Sequence, residues 1–139
     1  MGKVLVTAKI QNMEDLYRVK LGMLQPDQVR TVLVTDALAD TAATSLSMPQ
    51  RYINQLGLDP IRKRRARTSG GPAVVQVYGT VRLTIEDREC PCDVAEVPDD
   101  CPILIGQVPL ELLDYVVEPC GQRLIGNPEH GGEHIIELY

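Results

Sequence analysis

Apolar residues recur at every second position along several stretches of this chain, while helical spacing is confined to two short segments. The clearest alternation is VVQVYGTVRLTI. Val75, Val77, Val81, Leu83 and Ile85 share one face, and Gln76, Tyr78, Thr80, Arg82 and Thr84 share the other. Period two of this kind is a half-buried strand, and Gly79 marks where it would bend or bulge. CDVAEV is its return strand after a turn at Asp87-Arg88. KVLVTAKI and LYRVKL flank the polar QNMED and predict a hairpin, which QPDQ ends. RTVLVTDALAD is the next strand. PILIG, YVVEP, RLIGNP and HIIELY predict four more short strands.

Helical spacing appears in MPQRYINQLGL, where Tyr52, Ile53 and Leu56 fall together, Pro49 stands near the start and Gly57 just past the end. A short helix over Pro49 to Leu56 is expected, and VPLELLDY fits one or two further turns. Gly22 and Gly57 read as turn or cap glycines. DPIRKRRARTSGGP is polar, basic and Gly-rich, and predicts a mobile loop or hairpin tip. Short strands at regular intervals with one or two brief helices predict an all-β barrel or sandwich, and not a parallel α/β fold.

A length of 139 residues suits one domain, here taken as residues 1–139, and is enough to bury a core without disulfide or metal. The chain has five Tyr and no Phe or Trp, which argues against stacking on single-stranded nucleic acid. No apolar run approaches membrane-spanning length, and no basic segment followed by an apolar one opens the chain, so a cytoplasmic protein is expected. Cys90, Cys92 and Cys101 cluster, with Cys120 apart. C-x-C without a second pair is a poor zinc pattern, and reduced structural thiols are the simpler expectation. His130 and His134 flank two glycines, so a metal-binding helix is excluded there and a surface loop expected.

The chemistry concentrates in LADTAATSLSMP. A strand ends in Asp40 and Thr41, and the small residues after them let another backbone approach closely. One carboxylate alone is a poor base at neutral pH. Two in contact share a proton, so that one acts as base toward water and the other as acid toward a carbonyl. The remaining candidates, Asp36, Asp59, Asp87, Asp93, Asp99, Asp100 and Asp114, lie in turns or polar runs. A second copy of Asp40 would have to come from another subunit, which predicts a two-fold homodimer.

These residues resemble a family. LADTAATSLSMP is similar to the D-[ST]-G-[AS]-[ST] segment of the retropepsin-like (clan AA) aspartic proteases, above all their small bacterial single-domain members. A preceding strand, the helix PQRYINQLGL, the strand pair ARTSGGPAVVQVYGTVRLTI in the place of the flap, and ILIGQVPLELLDYVV follow in the family's order, from about Arg30 to Val117. The resemblance implies a closed β-barrel, a dimer with terminal strands in an intersubunit sheet, peptide or protein substrates, and no cofactor or metal. It implies Asp40 as the catalytic residue, Thr41 as a hydroxyl gripping the partner's loop, and Ala42 and Ala43 as substrate-facing backbone, with Thr44 completing the loop. Thr68, Ser69, Gly70 and Gly71 become the flap tip.

One position departs from the pattern. Ala42 stands where the family has Gly, and its methyl would crowd a bound peptide, or distort the loop if the Gly conformation is closed to Ala. The chain is therefore expected to be an aspartic endopeptidase, with a dimeric peptide-binding or scaffold module as the alternative and a small metal-binding β-domain as a third. The run Arg62 to Arg65, with Arg67, would grip an acidic peptide or nucleic acid, or simply be a solvated loop.

Overall fold

The computed structural model describes residues 3–118, 120 and 122–138. Nine strands run in the order β1 (Lys3–Asn12), β2 (Thr31–Asp40), β3 (Leu46–Pro49), β4 (Asp59–Thr68), β5 (Gly71–Ile85), β6 (Arg88–Val97), β7 (Leu104–Ile105), β8 (Tyr115–Glu118) and β9 (Arg123–Gly126). Three short helices interrupt them: α1 (Met13–Lys20), α2 (Gln50–Leu56) and α3 (Gln107–Leu113). The principal sheet has the order β1-β2-β7-β3-β6-β5-β4, and β1 also pairs with β5. Six strands thus close into a ring, with β4 attached outside it, while β8 and β9 form a separate hairpin. The all-β class and the closed arrangement match the expectation from the strand pattern. Three helices replace the expected one or two.

The alternation in β5 is realised as predicted. Val77, Val81, Leu83 and Ile85 are buried. Val81, Leu83 and Ile85 join Ile10, Val32, Leu46, Met48, Ile53, Val94, Ile105 and Leu110 in one core inside the ring. The register of β5 against β6 shifts between Tyr78 and Val81, so Gly79 and Thr80 are the bulge. The turn that follows is Glu86-Asp87, one residue earlier than expected, with Glu86 at φ 55°.

The predicted hairpin partner LYRVKL is instead helix α1. Asn12 caps it, its side-chain oxygen accepting from the Asp15 N–H at 3.1 Å. Glu14 and Asp15 fall in the first turn and Arg18 and Lys20 in the last, matching the helix dipole. Asp15 is also the anchor of this corner. It is 2% exposed and accepts from Arg30 three times, from Nε at 2.8 Å, from Nη2 at 3.0 Å and from the backbone N–H at 3.0 Å. Asn12 Nδ2 donates to the Leu56 carbonyl at 2.8 Å, tying α1 to the end of α2. Gly57 closes α2 in the left-handed region, as its cap role predicted, and its missing side chain leaves space for the Arg30 guanidinium.

Two further expectations are corrected. DPIRKRRART is not a loop but strand β4, paired along its length with β5; only Ser69-Gly70 turns. HIIELY forms no strand over His134–Leu138, its last residue Tyr139 lying outside the described residues, as does Pro119 of YVVEP. The end of the chain is held by polar contacts instead. His130 does not sit free on the surface: its side chain is 13% exposed and its Nδ1 lies 2.6 Å from Asp114 Oδ2. Asp114 also accepts from Asn127 Nδ2 at 3.1 Å and from the Ile135 N–H at 3.2 Å. Arg88 stacks over Tyr115 at 4.5 Å and donates to the carbonyls of Leu113, Asp114 and Gly132.

These ionic contacts set two pH responses. The Arg30 side chain, with its backbone N–H, holds the Asp15 carboxyl down to about 2 against the opposing effect of burial. A lowered folded value stabilises above the ordinary 3.8 and is lost as pH falls toward 2. Asp15→Asn is expected to destabilise at neutral pH and to shrink the loss of stability between pH 4 and 2, followed by urea midpoints.

The hydrogen bond to His130 likewise draws Asp114 to about 2, and Asp114 raises His130 above its ordinary 6.5. The His130 contribution is full below pH 6.5 and is lost as pH rises through the raised value; that of Asp114 is lost in acid. Hydrogen exchange at the Ile135 amide should therefore be slowest between these limits and faster at alkaline pH beyond the intrinsic base effect. His130→Ala should remove that excess.

Candidate functional site

Asp40 is the last residue of β2 and is 9% exposed. Its Oδ1 accepts from the Ala42 N–H at 2.9 Å, and its carbonyl accepts from the Ala43 N–H at 3.1 Å. The strand therefore ends in a tight turn whose first residue is the carboxylate itself. Asp favours that position because its side chain bonds the backbone two residues on. Among the described residues, positive φ outside Gly occurs at Glu86, Asp114 and Gln122, so Ala42 carries no left-handed strain. Two Ala can follow Asp40 because the turn asks nothing of them that only Gly supplies.

Strand β7 fixes the loop from below. It lies between β2 and β3, parallel to the first (Leu38 beside Leu104, Ala39 beside Ile105) and antiparallel to the second (Leu46 beside Ile105, Ser47 beside Leu104). The connection Thr41–Ser45 must cross over the end of β7. The buried Ile105 stands between Ala39 and Leu46, directly behind the Asp40 turn. Gly106 then passes beneath the loop. A Cβ there would stand 2.5 Å from the Thr44 carbonyl carbon and 2.6 Å from the Ser45 nitrogen.

The first amides of α3 close the arrangement. Gly106, Gln107 and Val108 donate to the carbonyls of Ser45, Ala43 and Thr44 at 3.0, 2.8 and 3.0 Å. A helix start leaves N–H groups without intrahelical partners, and α3 has no side-chain cap. The loop carbonyls take that role. Thr41, Ala42 and Thr44 are exposed above this support, and Ala43 is half-buried.

Thr68, Ser69, Gly70 and Gly71 form the tip of the β4–β5 hairpin, where the resemblance placed the flap. Thr68 Oγ1 accepts from the Gly70 N–H at 3.2 Å and donates to the Gly71 carbonyl at 2.8 Å, and Gly71 has φ 104°. The tip is thus a defined turn. The arms below it are exposed on β4 and half-buried on β5.

The described residues border depressions of about 500 and 320 Å³. The larger is bordered by Val4 to Thr7, Ile85, Tyr115, Arg123 and Leu124, and the smaller by α1 and Gly79. Neither is lined by the Asp40 loop. Among the described residues no His, Cys, Asp and Glu group has the geometry of a metal site. The four cysteines are free, Cys90 buried and Cys120 exposed.

Sequence reasoning named the Asp40 loop but missed how much rests on Gly106. Its signal was a short apolar strand ending in Gly before a helix. Nothing in that pattern says which backbone it meets.

Gly106→Ala is expected to cost about 1–3 kcal/mol, because rigid backbone and no flexible side chain opposes the methyl. Urea denaturation measures the loss. Faster hydrogen exchange at the Gln107 and Val108 amides would locate it in the loop.

A family model described as aspartyl protease matches residues 17–108, about two-thirds of the chain. The match spans the Asp40 loop, the hairpin and Gly106. No curated protein matches this chain.

Proposed function

The chain belongs to the aspartyl protease family, and on that premise we propose that it is an endopeptidase whose site is completed by two copies, each bringing one Asp40. The observation that carries this reading is the placement of Asp40. It ends a strand whose last residues, Ala37, Ala39 and Asp40, are buried, in a turn locked by α3, with Thr41 and Ala42 beside it exposed. One chain supplies one such carboxylate, and the mechanism asks for two.

In the paired site the two carboxylates hold one proton between them. The ionised one takes a proton from water, whose oxygen attacks the scissile carbonyl carbon. The protonated one gives its proton to the carbonyl oxygen. Collapse of the tetrahedral species, with a proton passed to the nitrogen, breaks the C–N bond. Activity then favours acidic to mildly acidic pH, where the shared proton is retained. No cofactor or metal enters this scheme. Thr41 would bind the facing loop, Ala42, Ala43 and Thr44 would border the extended peptide, and Thr68 to Gly71 would close over it.

Exposed apolar residues support assembly. Leu5 is 64% exposed, and Ile136 and Leu138, in a strand-like sequence that joins no sheet among the described residues, are 76% and 73% exposed. Single exposed apolar residues are ordinary, but a terminal run of them suits a sheet shared between copies. A peptide-binding module is the second reading, favoured by the Ala42 methyl standing exposed beside Asp40.

Cleavage of a denatured protein mixture at mildly acidic pH tests the proposal. Asp40→Asn should reduce the rate roughly 10²–10⁴-fold or beyond detection without unfolding the chain. Ala42→Gly should raise it. A folded protein that cleaves nothing across the acidic and neutral range, with either residue at 42, would sink the peptidase reading and leave the binding module.

A further inference from the structure

Five of the fourteen Lys and Arg residues stand at positions 62–67: Arg62, Lys63, Arg64, Arg65 and Arg67. The fold gathers them on strand β4, where all five are exposed. β4 is the last strand of its sheet. One of its edges bonds to β5, and no strand among the described residues pairs with the other. The register puts Arg62 and Arg64 opposite Val77 and Val75, on one face. Lys63, Arg65 and Arg67 lie opposite Gln76, Val74 and Pro72, on the other face. Both faces of an open edge therefore carry positive charge at alternate positions.

Of the five, Arg62 alone meets a carboxylate among the described residues, Asp93 at 3.0 Å. Among the described residues the other four cations form no ion pair, in a chain whose net charge is −5. Charge on an edge strand discourages aggregation, but one or two residues of either sign accomplish that. Five of one sign repel each other, and an acidic partner turns that repulsion into attraction.

We propose that the open edge of β4 docks an extended acidic polypeptide segment as an added strand. Residues on one face of a strand repeat at roughly 6.6 Å, so carboxylates at alternate positions of a docked strand meet the cations in register. The free backbone groups of β4 supply the main-chain hydrogen bonds of such an addition. A polypeptide suits this edge better than nucleic acid, because β4 offers no aromatic side chain on which bases could stack. As a surface that selects substrates, it rests on the peptidase reading; as a docking edge, it does not.

The test uses the full chain carrying Asp40→Asn, so that binding is read without cleavage. The probe is a fluorescein-labelled eight-residue peptide of alternating Glu and Val, followed by anisotropy at low salt. Arg64→Glu with Arg65→Glu should raise Kd at least tenfold. Lys9→Glu with Lys20→Glu, which changes net charge equally on β1 and α1, should leave it within twofold. N-methylation of alternate peptide amides should also weaken binding at least tenfold. Circular dichroism confirms that each variant is folded. Absence of binding, equal loss in both charge variants, or tighter binding of a single-stranded oligonucleotide of equal charge would overturn the proposal. Cleavage assays then separate the two readings. If the Asp40 form cleaves nothing yet the peptide still binds through Arg64 and Arg65, the docking edge stands and the peptidase reading falls.

Discussion

The close passage of Gly106 under the backbone of Thr44 and Ser45 is the contact from which the rest of the site follows. β7 contributes only two residues, yet it holds β2 and β3 apart and gives their connection a floor. Because Ile105 fills the space behind the turn, Asp40 sits at a fixed height at the end of its strand. Because the α3 amides bond the loop carbonyls, the loop cannot lift without leaving helix donors unpaired. Each such bond contributes on the order of 0.5–1.5 kcal/mol net, so the three together act as a lock. The proposed role of Asp40 gains from such support, since its placement is set by strands and a helix and not by a free loop.

β5 divides the molecule into a rigid part and an extended one. From Val81 to Ile85 it is a stave of the ring, its inward residues buried. Before the bulge at Gly79 and Thr80 only Val77 and Tyr78 still pair with β6, and from Gly71 onward it pairs with β4 in a hairpin whose outer strand is exposed. Asp93, on β6, reaches both units, accepting from Thr80 Oγ1 at 3.0 Å and from Arg62 Nη2 at 3.0 Å. The hairpin is therefore tethered at its base and has little packing toward its tip. Local stability follows buried contacts, so the hairpin is held more weakly at its tip than at its base.

What could be read without coordinates was whatever burial writes into the sequence. The half-buried β5, the strand before Asp40 and the helix closed by Gly57 each carry a period or a cap. β4 has neither, because a strand exposed on both faces has no apolar side to alternate with. Its composition looked like a loop, and pairing to β5 made it a strand. The segment after Asn12 was misread for a different reason. LYRVK alternates well enough to pass for a strand, while the true signal lay in Asn12 followed by two acidic residues and then two basic ones. Long-range contacts left no trace at all. Neither the triple bond of Arg30 to Asp15 nor the meeting of Gly106 with Thr44 is written in any local pattern, since each joins segments that are distant along the chain.

Ala42 shows how a departure from a motif is judged by geometry. A glycine can be required for its backbone freedom or for its lack of volume. The first requirement does not apply here, because the turn is built by the Asp40 carboxylate bonding the Ala42 amide, without a left-handed residue at 42. The second remains, and it concerns only what lies above the loop. The methyl stands exposed in the single chain, so it disturbs neither the fold nor the placement of Asp40. Its cost falls on an occupant of the open face alone. A peptide held slightly farther from the loop would lose binding and alignment together, while the carboxylates kept their geometry. On the proposed two-copy reading, the substitution would change which peptides fit without moving Asp40.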